Sequence, residues 1–176
     1  MDNDGRLIER IGKRDEAAFA DLVSRYGGRL LAVASRLLGS RADAEDAVQR
    51  ALLQCFASAS SYQAEWAAVS TWLYRILTNV CVDELRRRSA RASRDLKITG
   101  TPGPRDRQPG AYLDLHRALD RVPREARVLL ALHYVDGLSY DELARIRGIS
   151  INTVKSQLSR GKSLLRAELA RRGASR

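Results

Sequence analysis

The chain has 176 residues, a formal net charge of +10 and a pI near 10.3, a balance that favours a polyanionic partner, either nucleic acid or an anionic membrane surface. Its length allows one domain or two small ones. No stretch approaches the roughly 18 uninterrupted apolar residues of a spanning helix, and no basic segment leads into an apolar run at the start, so we expect a cytoplasmic protein without membrane insertion.

The first predicted helical segment runs from Leu7 to Leu38, where apolar residues recur at steps of three and four. Asp15 is a candidate helix cap within this segment, and Gly39 is predicted to end it. Asp43 is predicted to open the next helix, and the inward stripe of that helix is Val48, Ala51, Leu52, Cys55 and Phe56.

The other face of this helix holds four residues, Asp46, Gln49, Arg50 and Leu53. A leucine among polar side chains is typical of a docking edge for another protein. Scattered surface leucines are also common, so the sequence pattern leaves both interpretations open.

A loop is predicted from Ser58 to Ser70, bearing Tyr62 and Trp66, and a helix follows from Thr71 through Arg88. The residues predicted to pack inward from this helix are Leu73, Ile76, Leu77, Val80 and Leu85. The residues predicted on its other side are Arg75, Thr78, Asn79, Val82, Asp83 and Arg86, with Arg87 and Arg88 extending the positive end. Arginines in the last turn of a helix interact favourably with the helix dipole, but this cluster contains more arginines than that interaction explains.

Residues 89–110 contain three of the four prolines and no apolar periodicity, which predicts a flexible linker between two separately folded units. We therefore divide the chain into a first domain at 1–90, a linker at 91–110 and a second domain at 111–176. The linker is basic, which is compatible either with a path along a polyanion or with solvated disorder.

Two helices are predicted to open the second domain, separated by a break at Pro123. The first carries Leu113, Leu115 and Leu119 and the second carries Val128, Leu129, Leu132 and Val135. The sequence shows no internal repeat and no convincing strand, so the predicted fold class is all-α with two small helical domains.

The last segment, GLSYDELARIRGISINTVKSQLSRGKSLLRAEL, predicts a helix-turn-helix. Ser139 and Glu142 have the spacing of a capping box, Gly148 is predicted to stop the short helix, and Ser150 is predicted to cap the next one. The predicted buried stripe of the second helix is Val154, Leu158, Gly161, Leu165 and Leu169. Its predicted outward residues are Asn152, Lys155, Ser156, Ser159 and Lys162, short polar and cationic side chains that suit base edges and phosphates.

The chain carries no pattern typical of catalysis: no glycine-rich phosphate loop, no HExxH or CxxC metal motif and no nucleophile elbow. His116 and His133 each lie beside leucines in predicted helices, which is more typical of packed or surface residues than of bases or ligands. Cys55 and Cys81 are predicted to be buried apolar residues, and the sequence leaves a redox pair between them as an alternative. We expect a binding protein, with no cofactor, no metal and no small-molecule substrate.

Several motifs of this chain resemble conserved regions of bacterial sigma factors of the sigma-70 family, of the small extracytoplasmic-function (ECF) type. AEDAVQRALLQCF resembles region 2.2, and TWLYRILTNVCVDELRRR resembles regions 2.3 to 2.4. LDRVPREARVLLALHYVDGLSYDELARIRGISINTVKSQLSRGKSLLR resembles region 4 along its whole length. The resemblance implies a dissociable subunit that binds core RNA polymerase, directs it to promoters and helps to melt them.

The resemblance also implies roles for individual residues. The residues that would meet the clamp helices of the largest polymerase subunit are Asp46, Gln49 and Leu53. The residues that would engage the −10 element are Arg75, Asn79, Asp83, Arg86 and Arg87, with Tyr62 and Trp66 holding a flipped base. The residues that would read the −35 element are Asn152, Thr153, Lys155, Ser156, Ser159 and Arg160. Region 4 in the family also packs on the flap of the second-largest subunit, and a cognate anti-sigma factor, which can be membrane-bound and hold its target at the inner membrane, usually controls the protein.

Four residues depart from the family pattern: Arg50, where an acid is common, Gln157, where an arginine is usual, Ser159, where a bulkier residue is usual, and Gly161, where an alanine is usual. Two rival interpretations are a dimeric transcription regulator with a LuxR-type helix-turn-helix and an adaptor protein that sequesters a regulator. The first has no use for the region 2 motifs. An adaptor protein would give the arginine-rich faces no function.

Overall fold

The computed structural model describes residues 3–65, 67–99 and 111–173, with side chains described for 4–65, 67–94 and 115–171. Within these ranges the chain is helical and forms no strand, which confirms the predicted all-α class. Trp66, residues 100–110 of the predicted 91–110 linker and the side chain of Leu113 lie outside the described residues, and residues 91–99 of that linker are helical. The helices are α1 (Asn3–Gly12), α2 (Glu16–Leu38), α3 (Arg41–Ser58), α4 (Val69–Thr99), α5 (Ala111–Leu119), α6 (Arg124–Asp136), α7 (Tyr140–Arg147) and α8 (Ile151–Gly173), with a 3₁₀ turn at Ala59–Ser61.

Local capping sets both boundaries of α2 and the start of α3. The Asp15 carboxylate accepts a hydrogen bond from the Ala18 N–H at 3.0 Å and starts α2, as predicted. Gly39 ends α2 with a left-handed φ of 71°. The predicted start of α3 at Asp43 is wrong, because the Ser40 hydroxyl caps this helix and its first residue is Arg41, two positions before Asp43.

The long helix α4 differs from its prediction at both ends and on one side. It begins at Val69 rather than Thr71 and continues to Thr99, well past the predicted end at Arg88. Thr78 and Val82, predicted on the outer face, are buried. The reason is tertiary: α4 packs against α2 and α3 on one side and against α6 and α7 on another, so it has a smaller solvent face than an isolated amphipathic helix.

The C-terminal half, α5 to α8, contains the predicted helix-turn-helix. Both arms of the capping box are present, with the Ser139 hydroxyl accepting from the Glu142 N–H at 3.3 Å and the Glu142 carboxylate accepting from the Ser139 N–H at 2.8 Å. Gly148 adopts a left-handed φ of 64°, and the Ser150 hydroxyl accepts from the Thr153 N–H at 3.1 Å to start α8. These signals are confirmed.

One residue of the predicted α8 stripe was placed wrongly. Val154, Leu158 and Gly161 are buried and Leu165 is half-buried, but Leu169 is 38% exposed. Helix α8 has 23 residues, about 35 Å, whereas α6, on which it packs, has 13 residues, about 20 Å. The last turns of α8 therefore extend beyond the surface that could cover them.

The two halves pack directly on each other. Helix α6 lies against α2 and α4, and α7 lies against α4. One cluster of buried side chains continues from Leu7 in α1 to Leu158 in α8. The packing leaves exposed the N-terminal part of α8, one side of α4 and the outer side of α3, and these surfaces carry the candidate site residues.

Candidate nucleic-acid and protein interfaces

The first three turns of α8 present the small polar and basic face expected of a recognition helix. The exposed residues of this face are Asn152, Lys155, Ser156, Ser159 and Arg160. Thr153 differs from them because it is half-buried and its hydroxyl lies 2.9 Å from the Ser150 hydroxyl, within the helix cap. The face therefore offers two cations, one amide and two hydroxyls to a groove, with Thr153 at its edge.

Close packing under α8 accounts for one departure from the family pattern. A Cβ atom at Gly161 would lie 3.1 Å from the Ala126 Cβ and 3.2 Å from a Leu130 methyl, tighter than ordinary van der Waals contact. Glycine in a helix interior costs roughly 1 kcal/mol relative to alanine, and here it lets α8 approach α6 closely. Gln157, another of the departures on α8, is half-buried and adds little to the exposed face.

Helix α4 carries a second polar stripe. Arg75, Asn79, Asp83 and Arg86 are all exposed and recur at steps of three and four, which places them on one side of the helix. Asp83 and Arg86 form an ion pair at 3.2 Å within the stripe. Arg87 lies further round the helix and pairs with Glu84 at 3.6 Å.

The loop before α4 is anchored by aromatic packing. The ring centroids of Tyr62 and Trp72 are 5.1 Å apart, and the Tyr62 hydroxyl donates to the Ala67 carbonyl at 2.7 Å. Tyr62 is half-buried, so this loop is tied to the first turn of α4 rather than standing free. Sequence reasoning found Tyr62 but missed Trp72, which its periodicity left without a role.

The outer face of α3 places Asp46, Gln49 and Leu53 on successive turns, all exposed, with Leu53 at 58%. Gln49 and Leu53 border an open groove of about 370 Å³ between α2 and α3, which sequence reasoning did not find. The groove is lined by Phe19, Gly27, Leu31, Glu45, Val48, Gln49, Leu52 and Leu53. An exposed leucine at the rim of an apolar groove is typical of a protein-docking surface.

Two arginines beside these surfaces hold the fold together. Arg50 pairs with Asp46 at 2.8 Å and with Glu84 at 3.3 Å, and so joins α3 to α4. Arg88 donates to the Leu38 carbonyl at 2.8 Å and pairs with Asp43, which anchors α4 on the turn between α2 and α3. Arg88 thus belongs to the scaffold rather than to the exposed positive end.

The described residues offer no sign of metal or thiol chemistry. Burial raises the pKa of both Cys55 and Cys81 to about 12, so both thiols stay protonated near neutral pH. Across the part of the chain that the structure describes, no group of three metal-ligating side chains occurs. In the same part, no helix combines the length and apolar content needed to cross a bilayer.

Two protein-family models match the chain in the same order as the surfaces described above. The model for sigma-70 region 2 matches residues 22–91, which include the α3 face, the aromatic loop and the α4 stripe. The model for sigma-70 region 4 matches residues 112–165, which include the helix-turn-helix.

Curated relatives share this organisation. The chain is 30% identical over 179 residues to the ECF RNA polymerase sigma factor SigW of Bacillus subtilis, covering 93% of this chain and 95% of that protein. It is 34% identical over 169 residues to the ECF RNA polymerase sigma factor SigM of Mycobacterium tuberculosis, covering 96% of this chain and 84% of that protein.

Two solved structures have a similar fold. CnrH in complex with the cytosolic domain of CnrY superposes with a TM-score of 0.70 at 24% identity, over 96% of this chain and 98% of that one. The sigma factor RpoE of Bartonella quintana, in complex with the anti-sigma factor NepR, superposes with a TM-score of 0.66 at 26% identity, over 86% of this chain and 96% of that one.

Proposed function

The chain belongs to the sigma-70 family, among its ECF RNA polymerase sigma factors, and from this premise we propose how its exposed surfaces divide the work of transcription initiation. The protein binds core RNA polymerase, directs it to specific promoters and helps to melt them. The observation that carries the proposal is the helix-turn-helix, in which a capped α7 and α8 expose only short polar and basic side chains over the first turns of α8 beyond Ile151.

The exposed face of α8 reads the −35 element in the major groove. Lys155 and Arg160 meet phosphates or guanine edges, and Asn152, Ser156 and Ser159 are short enough to let the helix backbone approach the bases. Thr153, engaged in the helix cap, positions the N-terminus of α8 and contacts the DNA from the rim of this face.

The α4 stripe engages the −10 element. Arg75, Arg86 and Arg87 supply positive charge to the strand. The Asn79 amide can both donate and accept hydrogen bonds, and the Asp83 carboxylate can accept them. Tyr62 and Trp66, in the loop that leads into α4, hold a base flipped from the melted strand. Stacking such a base on an aromatic ring offsets the few kcal/mol that unpairing costs.

The α3 face and its groove dock on the polymerase. Leu53 inserts between the clamp helices of the largest subunit, flanked by Asp46 and Gln49, and the C-terminal half contacts the flap of the second-largest subunit. The same apolar surface suits a helix of an anti-sigma factor, which would hold the protein inactive and, where that inhibitor is membrane-bound, place it at the inner membrane. The finding that supports this regulation is that the similar RpoE structure contains an anti-sigma factor.

The experiment that tests the function is in vitro transcription from a genomic fragment library with purified core polymerase, with and without this protein. We expect start sites that appear only with the protein and that share upstream motifs at −35 and −10. DNA binding without new initiation would favour a helix-turn-helix regulator instead. The absence of both would favour an adaptor.

The polymerase surface is tested by Leu53→Asp, which places a charge at the rim of the apolar groove. We expect loss of core polymerase binding in a pull-down or by fluorescence anisotropy, with an unchanged circular dichroism spectrum, since Leu53 is exposed. The matched control is Gln54→Asp, which adds the same charge to the neighbouring exposed position on α3. Equal affinity for both variants would remove Leu53 from the interface.

A further inference from the structure

Helix α8 packs against α5, α6 and α7 along its inner side, and one position on that side has no side chain. Val154 and Leu158 are buried and Leu165 is half-buried, so branched side chains separate α8 from its neighbours at these positions. Gly161, which lies between Leu158 and Leu165, is also buried. At Gly161 the main chain of α8 therefore meets the side chains of α6 directly.

The space at Gly161 is too small for a methyl group unless one helix moves. A Cβ atom there would lie 3.1 Å from the Ala126 Cβ and 3.2 Å from the Leu130 Cδ1. Carbon atoms in favourable contact are about 3.5–4.0 Å apart. Leu130 can change its rotamer, but the Ala126 Cβ is fixed to its own backbone and has no torsion that moves it aside. An added methyl group is therefore accommodated only if α8 moves away from α6 by about 0.5 Å.

Such a movement is directed at the DNA, because the recognition face lies opposite the contact with α6. At 100° per residue, Asn152 lies roughly 180° and Ser159 roughly 200° around the helix from Gly161. A displacement of α8 away from α6 thus carries these side chains toward the bases. Hydrogen bonds between protein and base need donor–acceptor distances of about 2.7–3.2 Å, so a shift of about 0.5 Å equals the whole tolerated range.

The side chains of the recognition face differ in how well they tolerate this displacement. Asn152, Ser156 and Ser159 have short side chains with few torsions, so they cannot compensate for a moved backbone. Lys155 and Arg160 are long and flexible and can keep their contacts with phosphates. A displaced α8 should therefore lose sequence discrimination while it keeps its sequence-independent attraction to the duplex.

We propose that Gly161 determines the base specificity of this chain at the −35 element, by seating α8 on Ala126 at the depth at which the short side chains reach the base edges. Gly161 acts as a positioning residue, since it lies on the side of α8 that faces α6. The inference rests on the proposed function, because it requires α8 to read the −35 element. On this proposal, the departure from the alanine that is usual in the family sets the base preference of this chain.

The test uses holoenzyme assembled from core polymerase and the full chain, on a promoter recovered in the transcription experiment. Initiation at subsaturating holoenzyme is compared between this promoter and the same promoter with one −35 base pair exchanged. One wrong base pair weakens specific recognition by about 10–100-fold. We expect Gly161→Ala to reduce this ratio by at least about threefold. The corresponding ratio for an exchanged −10 base pair should stay unchanged, since Gly161 does not support α4.

The rescue variant is Ala126→Gly combined with Gly161→Ala, which removes the methyl group that the new alanine meets. This double variant should regain the −35 ratio of the unaltered chain. The matched control is Gly28→Ala on α2, where a Cβ atom would have no neighbour within 4 Å among the described residues. This control should change neither ratio.

Circular dichroism establishes the helix content of each variant. An unchanged −35 ratio in folded Gly161→Ala would overturn the proposal, and so would equal losses at −35 and −10. If Gly161→Ala loses its helix content, the double variant carries the test. It must then regain both the helix content and the −35 ratio, and failure in either would overturn the proposal.

A measurement without promoter separates failure of this inference from failure of the proposed function. Urea denaturation of the single and double variants gives a double-mutant cycle for Gly161 and Ala126. Ala126→Gly should cost less free energy of unfolding in the presence of Gly161→Ala than alone, because it then relieves a close contact. A cycle without coupling would refute the close contact whatever promoters are recovered. The absence of new start sites would refute the proposed function whatever the cycle gives.

Discussion

At the scale of single residues, Arg50 shows how a departure from the family pattern is accommodated. Its guanidinium is part-buried between Asp46 on its own helix and Glu84 on α4, and the Glu84 side chain is only 14% exposed. An arginine here neutralises a carboxylate that the packing of α3 on α4 has largely removed from water. The residue therefore acts on stability first and on the neighbouring polymerase surface second.

Replacing it by the acid that the family commonly has, Arg50→Glu, should lower the free energy of unfolding by about 1–3 kcal/mol. Glu84 would then face a second carboxylate, with only the longer contacts from Arg87 and Arg88 at 3.6 Å to compensate. Urea denaturation followed by circular dichroism measures the change. Arg41→Glu, an exposed reversal on the same helix, should stay within about 0.5 kcal/mol, and an equal loss in both variants would count against the proposed role of Arg50.

His116 gives a pH dependence whose sign follows from its surroundings. Burial lowers its pKa below the ordinary 6.5, the nearby Arg36 and Arg127 lower it further, and Asp120 opposes them. Between the lowered pKa and 6.5 the unfolded chain binds more protons than the folded one, so stability falls as the pH drops through this window. The loss should therefore begin below about pH 6.5.

The measurement compares the unaltered chain with His116→Gln by urea denaturation at about pH 7.5 and about pH 5.5. We expect the unaltered chain to lose more free energy of unfolding over this interval than the variant, which cannot take up the proton. Equal losses would show that other groups dominate the pH dependence in this range.

At the scale of elements, the exposed face of α8 allows the contribution of a single charge to DNA binding to be measured. Lys155 is exposed on the α8 face, and we assign it to phosphate or base contact beside the −35 element. Lys155→Ala should weaken binding to a −35 duplex and reduce the slope of log affinity against log salt by about one, because one fewer counterion is released. Anisotropy titrations over a salt series measure this slope, and Lys13→Ala, which removes an exposed lysine far along the chain, should leave it unchanged.

The helix boundaries show which features can be predicted from neighbouring residues in the sequence. The turn between α7 and α8 was predicted residue by residue, because its capping box, its glycine and its serine cap act within four residues of chain. The boundary at Ser40 and the burial of Thr78 were missed for the opposite reason. Ser40 and Asp43 are both good caps, and Arg88, far along the chain, takes the Asp43 carboxylate. Thr78 is buried by α7, which no pattern within α4 reveals.

At the scale of the whole molecule, the sequence predicted two helical units but not whether they fold together, and in the structure α6 and α7 of the second half pack on helices of the first. The residues that join them, Arg29 and Asp136, are 107 positions apart, and each looks like an ordinary surface charge in its own helix. Periodicity shows which residues share one face of a helix but not which other helix that face packs against. The sequence therefore predicted the individual surfaces of the site but not how they are arranged in space. The α3 groove was missed on the same grounds, since α2 and α3 form it together.

Because one buried cluster runs through both halves, the chain should unfold in a single transition. Scanning calorimetry should then give a calorimetric enthalpy equal to the van 't Hoff enthalpy. Arg29→Gln removes the two hydrogen bonds to Asp136 and should lower the free energy of unfolding by about 1–3 kcal/mol, a lower figure than for a fully buried pair because Arg29 is half exposed.

For a chain of this size, each kcal/mol lost from the free energy of unfolding lowers the midpoint temperature of thermal unfolding by about 2–4 °C. The control is Arg25→Gln, which breaks a pair with Asp4 inside the N-terminal half and leaves the contact between the halves intact. Both variants should lose stability, but only Arg29→Gln should separate the transition into two as the halves uncouple. Two transitions in the unaltered chain would mean that the contact at Asp136 does not couple the halves.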